Sequence, residues 1–489
     1  MFLQIYFMTD AGILQERHPH GKILFLSYLV FSLIAFFCAV AGIFICRSAA
    51  PFGAWLFWFC VVSALSGRIF EKEIRKYVLL SYSIFSILGM MALFTYYFTY
   101  GYTFAPYGDD SYFFCNAQNI ISGIENEKFE VYGVLISIPL RLIQLFTDKF
   151  QHYALLPLNW AAASFVVGFS LRLGYDLLPG RECSPVPFLA FACIVLNSIF
   201  CDAVVHLYRD VFMSLFAVLS LHSVFRNRWK SSVVFAVFSG IFRAANGLLL
   251  FLLLFLLKVR QKYAGMRKLT FFLIILFVSA VLLFILSHVS LNMSSFLQAS
   301  EVKTSILETL RNRAESFTYY YENAGIPAAR LQSNSVLYLF SFLFSPVRVT
   351  SWVREIHEGL IYVGHDALVY PAFRMFRIDY FVACIGMVFQ IFIVPKICLF
   401  LYASLKGHNM KLFILAFSFL CYCFLIAFVS MQVRHKVFLI LFLPAFLFLY
   451  EQLYRRKYLT QERCFRFGLL AVAVLVNLRD FYLNYLTVS

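Results

Sequence analysis

From Leu24 to Cys46 the chain runs without a single charged side chain. A helix of that length can cross the hydrocarbon core of a bilayer, which is about 30 Å thick and needs about 20 apolar residues. Comparable apolar runs recur at 52–66, 77–100, 153–174, 186–207, 210–225, 268–290, 380–403, 411–431, 436–450 and 466–480. In lipid every backbone polar group must be satisfied within the segment, so such runs fold as helices. The composition agrees: of 489 residues, 62% are hydrophobic and only 13% charged, with a mean hydropathy of +0.80. Soluble globular chains are not built this way. The expected fold class is all-α, a polytopic transmembrane helix bundle of about eleven full spans plus re-entrant or interfacial half-helices, in one membrane domain covering 1–489.

Basic residues fall in short clusters between those runs. The net charge is +16, but no continuous basic patch forms, which argues against nucleic acid and for charges that set membrane orientation. Arg68, Lys72, Arg75 and Lys76 sit together, and the positive-inside tendency puts their loop in the cytoplasm. The residues before Leu24 include Asp10, Glu16, Arg17 and Lys22, and the apolar run that follows is longer than a signal-peptide core. The expectation is therefore a retained first span with a cytoplasmic N-terminus. Arg226 to Lys230, Lys258 to Lys268, Lys406 with Lys411, and Arg455 to Arg466 mark further inner loops. For these to share a side, 133–147 must not cross; it is short, contains Pro139 and Arg141, and suits an outer-face interfacial helix. The Cys residues lie mostly inside apolar runs, with neither a disulfide framework nor a zinc spacing.

The segment 231–258 conflicts with a simple crossing. Both flanks are basic, yet one span would put them on opposite sides. As a single helix it would be roughly 42 Å long against a core of about 30 Å. Its centre reads FRAANG, an arginine and a glycine where a lipid-facing helix should have neither. Two broken half-helices in a hairpin, with Arg243, Asn246 and Gly247 near the tip, reconcile these facts. An arginine at membrane depth costs about 2.5–3.5 kcal/mol or more, so it requires an anionic partner.

The outer face holds the candidate chemistry. The stretch TYGYTFAPYGDDSYFFCNAQNIISG leaves an apolar helix through a Gly-, Pro- and Tyr-rich turn and presents Asp109 and Asp110 at a new helix start. Asp110 or Ser111 suits the N-cap there. Segments 101–152 and 291–379 form the expected outer-face cap, with VLYLFSFLFSP dipping toward the membrane just before Arg348. His206, Arg209 and Asp210 sit at an outer turn between two spans; Arg434, His435 and Lys436 sit at another, against the positive-inside tendency. His357 and Glu358 lack the HExxH register of a metal-binding helix and read as solvated charges.

Arginine grips phosphate and pyrophosphate bidentately, and a carboxylate suits general-base activation of a hydroxyl. Asp109 and Asp110 are thus the candidate catalytic residues and Arg209, Arg243, Arg348 and Arg434 the candidate phosphate ligands. His206, Asp210, Asn246, His435 and Lys436 support them. The chemistry that combines these groups is glycosyl transfer from a polyprenyl-phosphate- or diphosphate-linked sugar on the outer face. It requires a lipid-linked sugar donor, a glycan acceptor and membrane lipids; the oligomeric state is not fixed by the sequence.

The runs GDDSYFFCNAQNIISG, LYRDVFMSLF, FRAANG, LFSPVR and VRHKVFLILFLP occur in that order. They resemble the pattern of bacterial glycosyltransferases of the GT-C superfamily and of related O-antigen or capsular polysaccharide polymerases that use undecaprenyl-diphosphate-linked sugars. The resemblance implies a GT-C-like fold in the bacterial cytoplasmic (inner) membrane. It also implies Asp109 or Asp110 as the catalytic carboxylate, and Arg209, Arg243 and Arg434 on the donor's phosphates. This chain departs from that family in two ways. The carboxylate follows the third span rather than the first, and the aspartates are adjacent rather than spaced as D-x-D. No cofactor or metal is assigned on that basis, a divalent cation at the aspartates being the alternative. The competing classes are a transporter or flippase of lipid-linked sugars, for which broken helices are equally expected but two related halves are missing, and a non-catalytic assembly factor, which needs no intramembrane arginine.

Overall fold

A computed structural model of the chain describes residues 19–100, 109–124, 130–147, 151–178, 188–262, 270, 353–356, 359–363, 366–370, 373–376, 378–407, 409–429 and 437–482. Its helices are α1 (Pro19–Cys46), α2 (Ala50–Ile69), α3 (Lys72–Tyr100), α4 (Asp109–Ser122), α5 (Val131–Thr147), α6 (Leu156–Leu177), α7 (Phe188–Val195), α8 (Ser198–Val205) and α9 (Asp210–Phe225). They continue as α10 (Trp229–Phe242), α11 (Ala244–Lys262), α12 (Ile378–Lys406), α13 (Met410–Val429), α14 (Val437–Ile440), α15 (Leu443–Leu453) and α16 (Arg455–Phe481). Four short strands, β1 (Val353–Ile356), β2 (Gly359–Val363), β3 (Asp366–Tyr370) and β4 (Phe373–Phe376), form two antiparallel pairs, β1 with β4 and β2 with β3. These pairs qualify the all-α expectation locally; the membrane body is helical.

Among the described residues, five helices are long and apolar enough to cross a membrane: Leu24–Cys46, Ala50–Ile69, Lys72–Phe98, His152–Leu177 and Cys384–Lys406. Two bent pairs, α7 with α8 at 55° and Val437–Leu453 with Arg455–Arg479 at 118°, raise that to seven if each pair is one span. The expected count of about eleven becomes this coarser number for identifiable reasons. Helix α9 has 16 residues, about 24 Å, too short to span alone. The runs at 436–450 and 466–480 belong to one bent pair, and 268–290 lies outside the described residues.

Helix α6 is the hub, the most buried of the candidate spans. It packs on α3, α9 and α15, with Trp160 fully buried in its second turn. Trp160 fits only because α3 offers Gly89, where a Cβ would lie 2.3 Å from the indole. Large apolar side chains stay exposed on α1 (Leu26, Phe37, Phe44), α10 (Val234, Val237) and α16 (Phe467, Leu475, Leu478), the pattern expected of lipid-facing surfaces. Helix α5 buries Tyr132, Ile136 and Leu140 and exposes Ile138, Leu142, Leu145 and Phe146, so both of its faces are apolar. Its 17 residues reach about 26 Å, short of a span, in keeping with the interfacial expectation.

The 231–258 conflict resolves as a hairpin. Helix α10 ends at Arg243, whose extended backbone (φ −151, ψ 104) breaks the run. Helix α11 folds back so closely that a Cβ on Gly247 would lie 2.5 Å from the Cα of Gly240. At the far end Lys258 Nζ sits 4.6 Å from the centre of the Trp229 ring. The first residue of α10 and the last turns of α11 are therefore neighbours, and both basic flanks emerge at one end. That same end carries the Arg172–Glu71 ion pair, at 2.7 Å, and the Asp176 carboxylate shared by His222 and Arg226.

A second charge cluster fixes the sharply bent pair. Lys396 of α12 bonds Glu451 of α15 and lies 3.6 Å from Glu462 of α16. Arg455 pairs with Glu451 at 3.0 Å, Arg466 pairs with Glu462, and Tyr450 Oη donates to Glu462 Oε2 at 3.0 Å. Alternating charges thus join three helices, and Lys396 and Glu462, 6% and 2% exposed, are the members whose burial requires a partner.

Candidate functional site

The end opposite those basic flanks gathers the candidate residues around the short connection from His206 to Arg209. His206 leaves α8 in extended backbone (φ −105, ψ 164), and Arg209 stands at the N-cap position of α9 without a side-chain cap hydrogen bond. Being non-helical, this segment directs side chains and a backbone N–H toward the neighbouring helices α3, α4 and α6.

Asp110 of α4 is 3% exposed, and both of its carboxylate oxygens are engaged. Oδ2 lies 2.6 Å from His206 Nδ1, and Oδ1 accepts the backbone N–H of Leu207. The N-cap expectation for Asp110 therefore gives way: the helix starts at Asp109, and the Asp110 carboxylate makes a tertiary contact. Burial alone would push its pKa up, but the charge and hydrogen bond of His206, with help from His152 and the Leu207 N–H, outweigh burial and hold it below the ordinary 3.8. Asp110 is thus a buried, ionised orienting group for the His206 ring.

The other ring nitrogen, Nε2, is 3.4 Å from Tyr96 Oη and 3.6 Å from Asp202 Oδ1. Tyr208 stacks on the imidazole with centroids 5.0 Å apart. A buried amide relay fixes the backbone behind it. Asn159 Nδ2 donates to the His206 carbonyl at 2.8 Å, and Tyr132 Oη donates to Asn159 Oδ1 at 3.0 Å. Every polar atom of that relay would be costly if left unpaired, about 1–3 kcal/mol each.

Two ion pairs flank the dyad and differ in kind. Arg243 Nη2 donates to Asp210 Oδ2 at 3.3 Å, and its Nε lies 2.8 Å from Oδ1 without the alignment of a hydrogen bond, the side chains being 13% and 1% exposed. Removing one partner of such a buried pair costs about 3–5 kcal/mol. Arg209 Nη1 meets Glu130 Oε2 at 2.9 Å, with exposures of 32% and 22%, and its guanidinium lies 5.8 Å from the Phe113 ring. A solvent-facing pair of this type contributes only about 0–1 kcal/mol. Beside Arg243, Asn246 donates to Met213 Sδ at 3.0 Å and accepts from Tyr422 Oη.

Of the residues expected from sequence, Asp110, His206, Arg209, Asp210, Arg243 and Asn246 lie in this one layer. Asp109 begins α4, but its side chain is not among the described ones. Arg348, Arg434, His435 and Lys436 lie outside the described residues. Glu130, Asn159, Tyr132 and Tyr422 complete the layer and were not foreseen. Asn159 carried a readable signal, an amide inside the apolar run LPLNWAAAS that must find a partner when buried. Glu130 carried none beyond being an acid just before α5. Among the described residues no group of three or more His, Cys, Asp or Glu is placed to hold a metal ion. No protein-family model, curated protein or solved structure matches this chain.

Proposed function

We propose that this chain is an integral-membrane glycosyltransferase or polysaccharide polymerase that uses a polyprenyl-phosphate- or diphosphate-linked sugar donor at the membrane face bearing the His206 layer. The observation that carries the reading is the Asp110–His206 dyad set between two arginines, Arg209 and Arg243, at one end of an apolar bundle. In this role His206 Nε2 takes the proton of an acceptor hydroxyl. The hydroxyl oxygen attacks the anomeric carbon, and the bond from that carbon to the phosphate oxygen breaks. The electron pair leaves on the polyprenyl phosphate, whose charge Arg209 balances; such electrostatic support is usually the largest catalytic contribution. Asp110 does not touch the acceptor here but holds Nδ1 protonated and the ring aligned, the part a buried carboxylate plays behind a histidine base.

The basic clusters at the opposite end, now brought together by the α10–α11 hairpin, support an orientation with that end in the cytoplasm and the His206 layer outside. A bacterial cytoplasmic membrane and a GT-C-like fold go with the same reading. The bent pair α7–α8 and the hairpin at Arg243 favour a second reading, a transporter or flippase of the same lipid-linked sugars. One experiment separates them. Purified full-length protein in liposomes is given defined polyprenyl-diphosphate sugars with glycan acceptors, and new glycosidic bonds and lipid translocation are measured together. Bond formation supports the transferase; translocation of intact donor without bond formation supports the transporter; neither rejects both.

A further inference from the structure

We propose that Glu130 is an exchangeable stand-in for the donor's phosphate: a phosphate or diphosphate group enters by displacing the Glu130 carboxylate from Arg209. The inference rests on the donor chemistry proposed above and adds how that site receives its anion. Among the described residues, four carboxylates, Asp110, Asp202, Glu130 and Asp210, lie in or beside the layer with two guanidiniums, Arg209 and Arg243. Each of these arginines already faces a carboxylate, so a phosphate reaches a guanidinium fork by displacing one. Asp110 is held by His206 and Leu207, and Asp210 lies buried against Arg243, the two side chains 1% and 13% exposed. Glu130, just before α5, makes a 2.9 Å contact with Arg209 and at 22% exposed is more open to solvent than Asp110 or Asp210. It is the more exposed of the two acids that hold these arginines, and its oxygen sits on Nη1 at a distance a phosphate oxygen also takes.

The fixed arginine and the exchangeable one then divide the work. Arg243 compensates Asp210 and shapes the tip of the hairpin, while Arg209 meets the ligand. Phe113, beneath the Arg209 guanidinium, keeps the fork in place when Glu130 swings away.

The test is binding of a fluorescent polyprenyl diphosphate to the purified full chain in maltoside detergent, with no acceptor present. Glu130→Gln keeps the shape and removes the competing charge, so its affinity is expected to rise up to about fivefold, the equivalent of an exposed ion pair. Glu130→Asp, which keeps the charge, is expected to stay near wild type. Arg209→Ala is expected to lose at least about tenfold, and Arg209→Lys to be weaker than wild type because it lacks the fork. Competition by inorganic pyrophosphate would place recognition in the phosphate group alone, and competition only by unlabelled polyprenyl diphosphate would place it in the lipid-linked form; the order of variants is the same in both. Wild-type binding that Glu130→Gln leaves unchanged or weakens overturns the exchange and leaves the donor assignment standing. Wild-type protein that binds no polyprenyl diphosphate overturns both.

Discussion

His206 Nδ1 lies 2.6 Å from Asp110 Oδ2, although the two residues are 96 positions apart in sequence. The contact joins the helix that follows the third apolar run to the turn that precedes α9, and with the Leu207 N–H it supports a carboxylate buried between them.

Asp110→Asn is expected to destabilise the fold by about 1–3 kcal/mol at neutral pH, because the amide puts a donor where two donors already point. The folded carboxyl has a lower pKa than the unfolded one, so its contribution is complete above about 3.8 and disappears as pH falls through the lower folded value. Thermal unfolding of wild type and variant in detergent should show a gap in midpoint at pH 7 that closes on acidification below that range. A gap constant down to the most acidic pH would contradict the ionised assignment.

Arg243→Ala should cost about 3–5 kcal/mol, because Asp210 remains buried and charged without its partner. Adding Asp210→Ala should recover much of that loss, and a double-mutant cycle on unfolding midpoints measures the coupling. Strictly additive losses would mean that the two side chains do not act as a pair.

The hairpin makes a topological prediction. Single cysteines replacing Arg228 and Arg260, in a background without native cysteines, should react with a membrane-impermeant thiol reagent from the same side of the membrane. Opposite-side labelling would restore a single crossing for 231–258. Gly247→Val should also disrupt the fold, since its Cβ would collide with the Gly240 backbone.

Lys396→Met should be more damaging than Arg455→Ala. The lysine side chain is 6% exposed and stands between Glu451 and Glu462, whereas Arg455 is 58% exposed and screened by water. Comparable losses in unfolding midpoint would show that the buried chain of charges does not hold α16 in place.

Much of the helical body could be read from the apolar runs, because lipid leaves a chain few choices of backbone. Basic flanks on both sides were enough to expect the hairpin at Arg243, and the cost of that arginine was enough to expect an acid beside it. The identity of the acid was not legible: Asp210 lies in a different apolar run and meets Arg243 only after α9 and α10 pack together. The β pairs left a signal in GLIYVGHDALVY, two β-prone runs around Gly364 and His365, but charge pattern alone read that region as solvated loop. Span count failed where helices bend, since the 118° turn at Tyr454 joins two runs that look independent in one dimension. Glu130 and the Tyr132–Asn159 relay were invisible for the same reason, their partners being fixed by tertiary packing rather than by spacing.

The most direct test of the central claim is sugar transfer by purified wild-type, Asp110→Asn and His206→Gln proteins from a defined polyprenyl-diphosphate sugar to a glycan acceptor, with folding checked by gel filtration. The expected result is transfer by wild type and a fall of about 10²–10⁴-fold in His206→Gln, with Asp110→Asn impaired in the same direction. Equal rates in all three folded proteins would contradict the assignment of His206 as the proton acceptor and Asp110 as the residue that positions it.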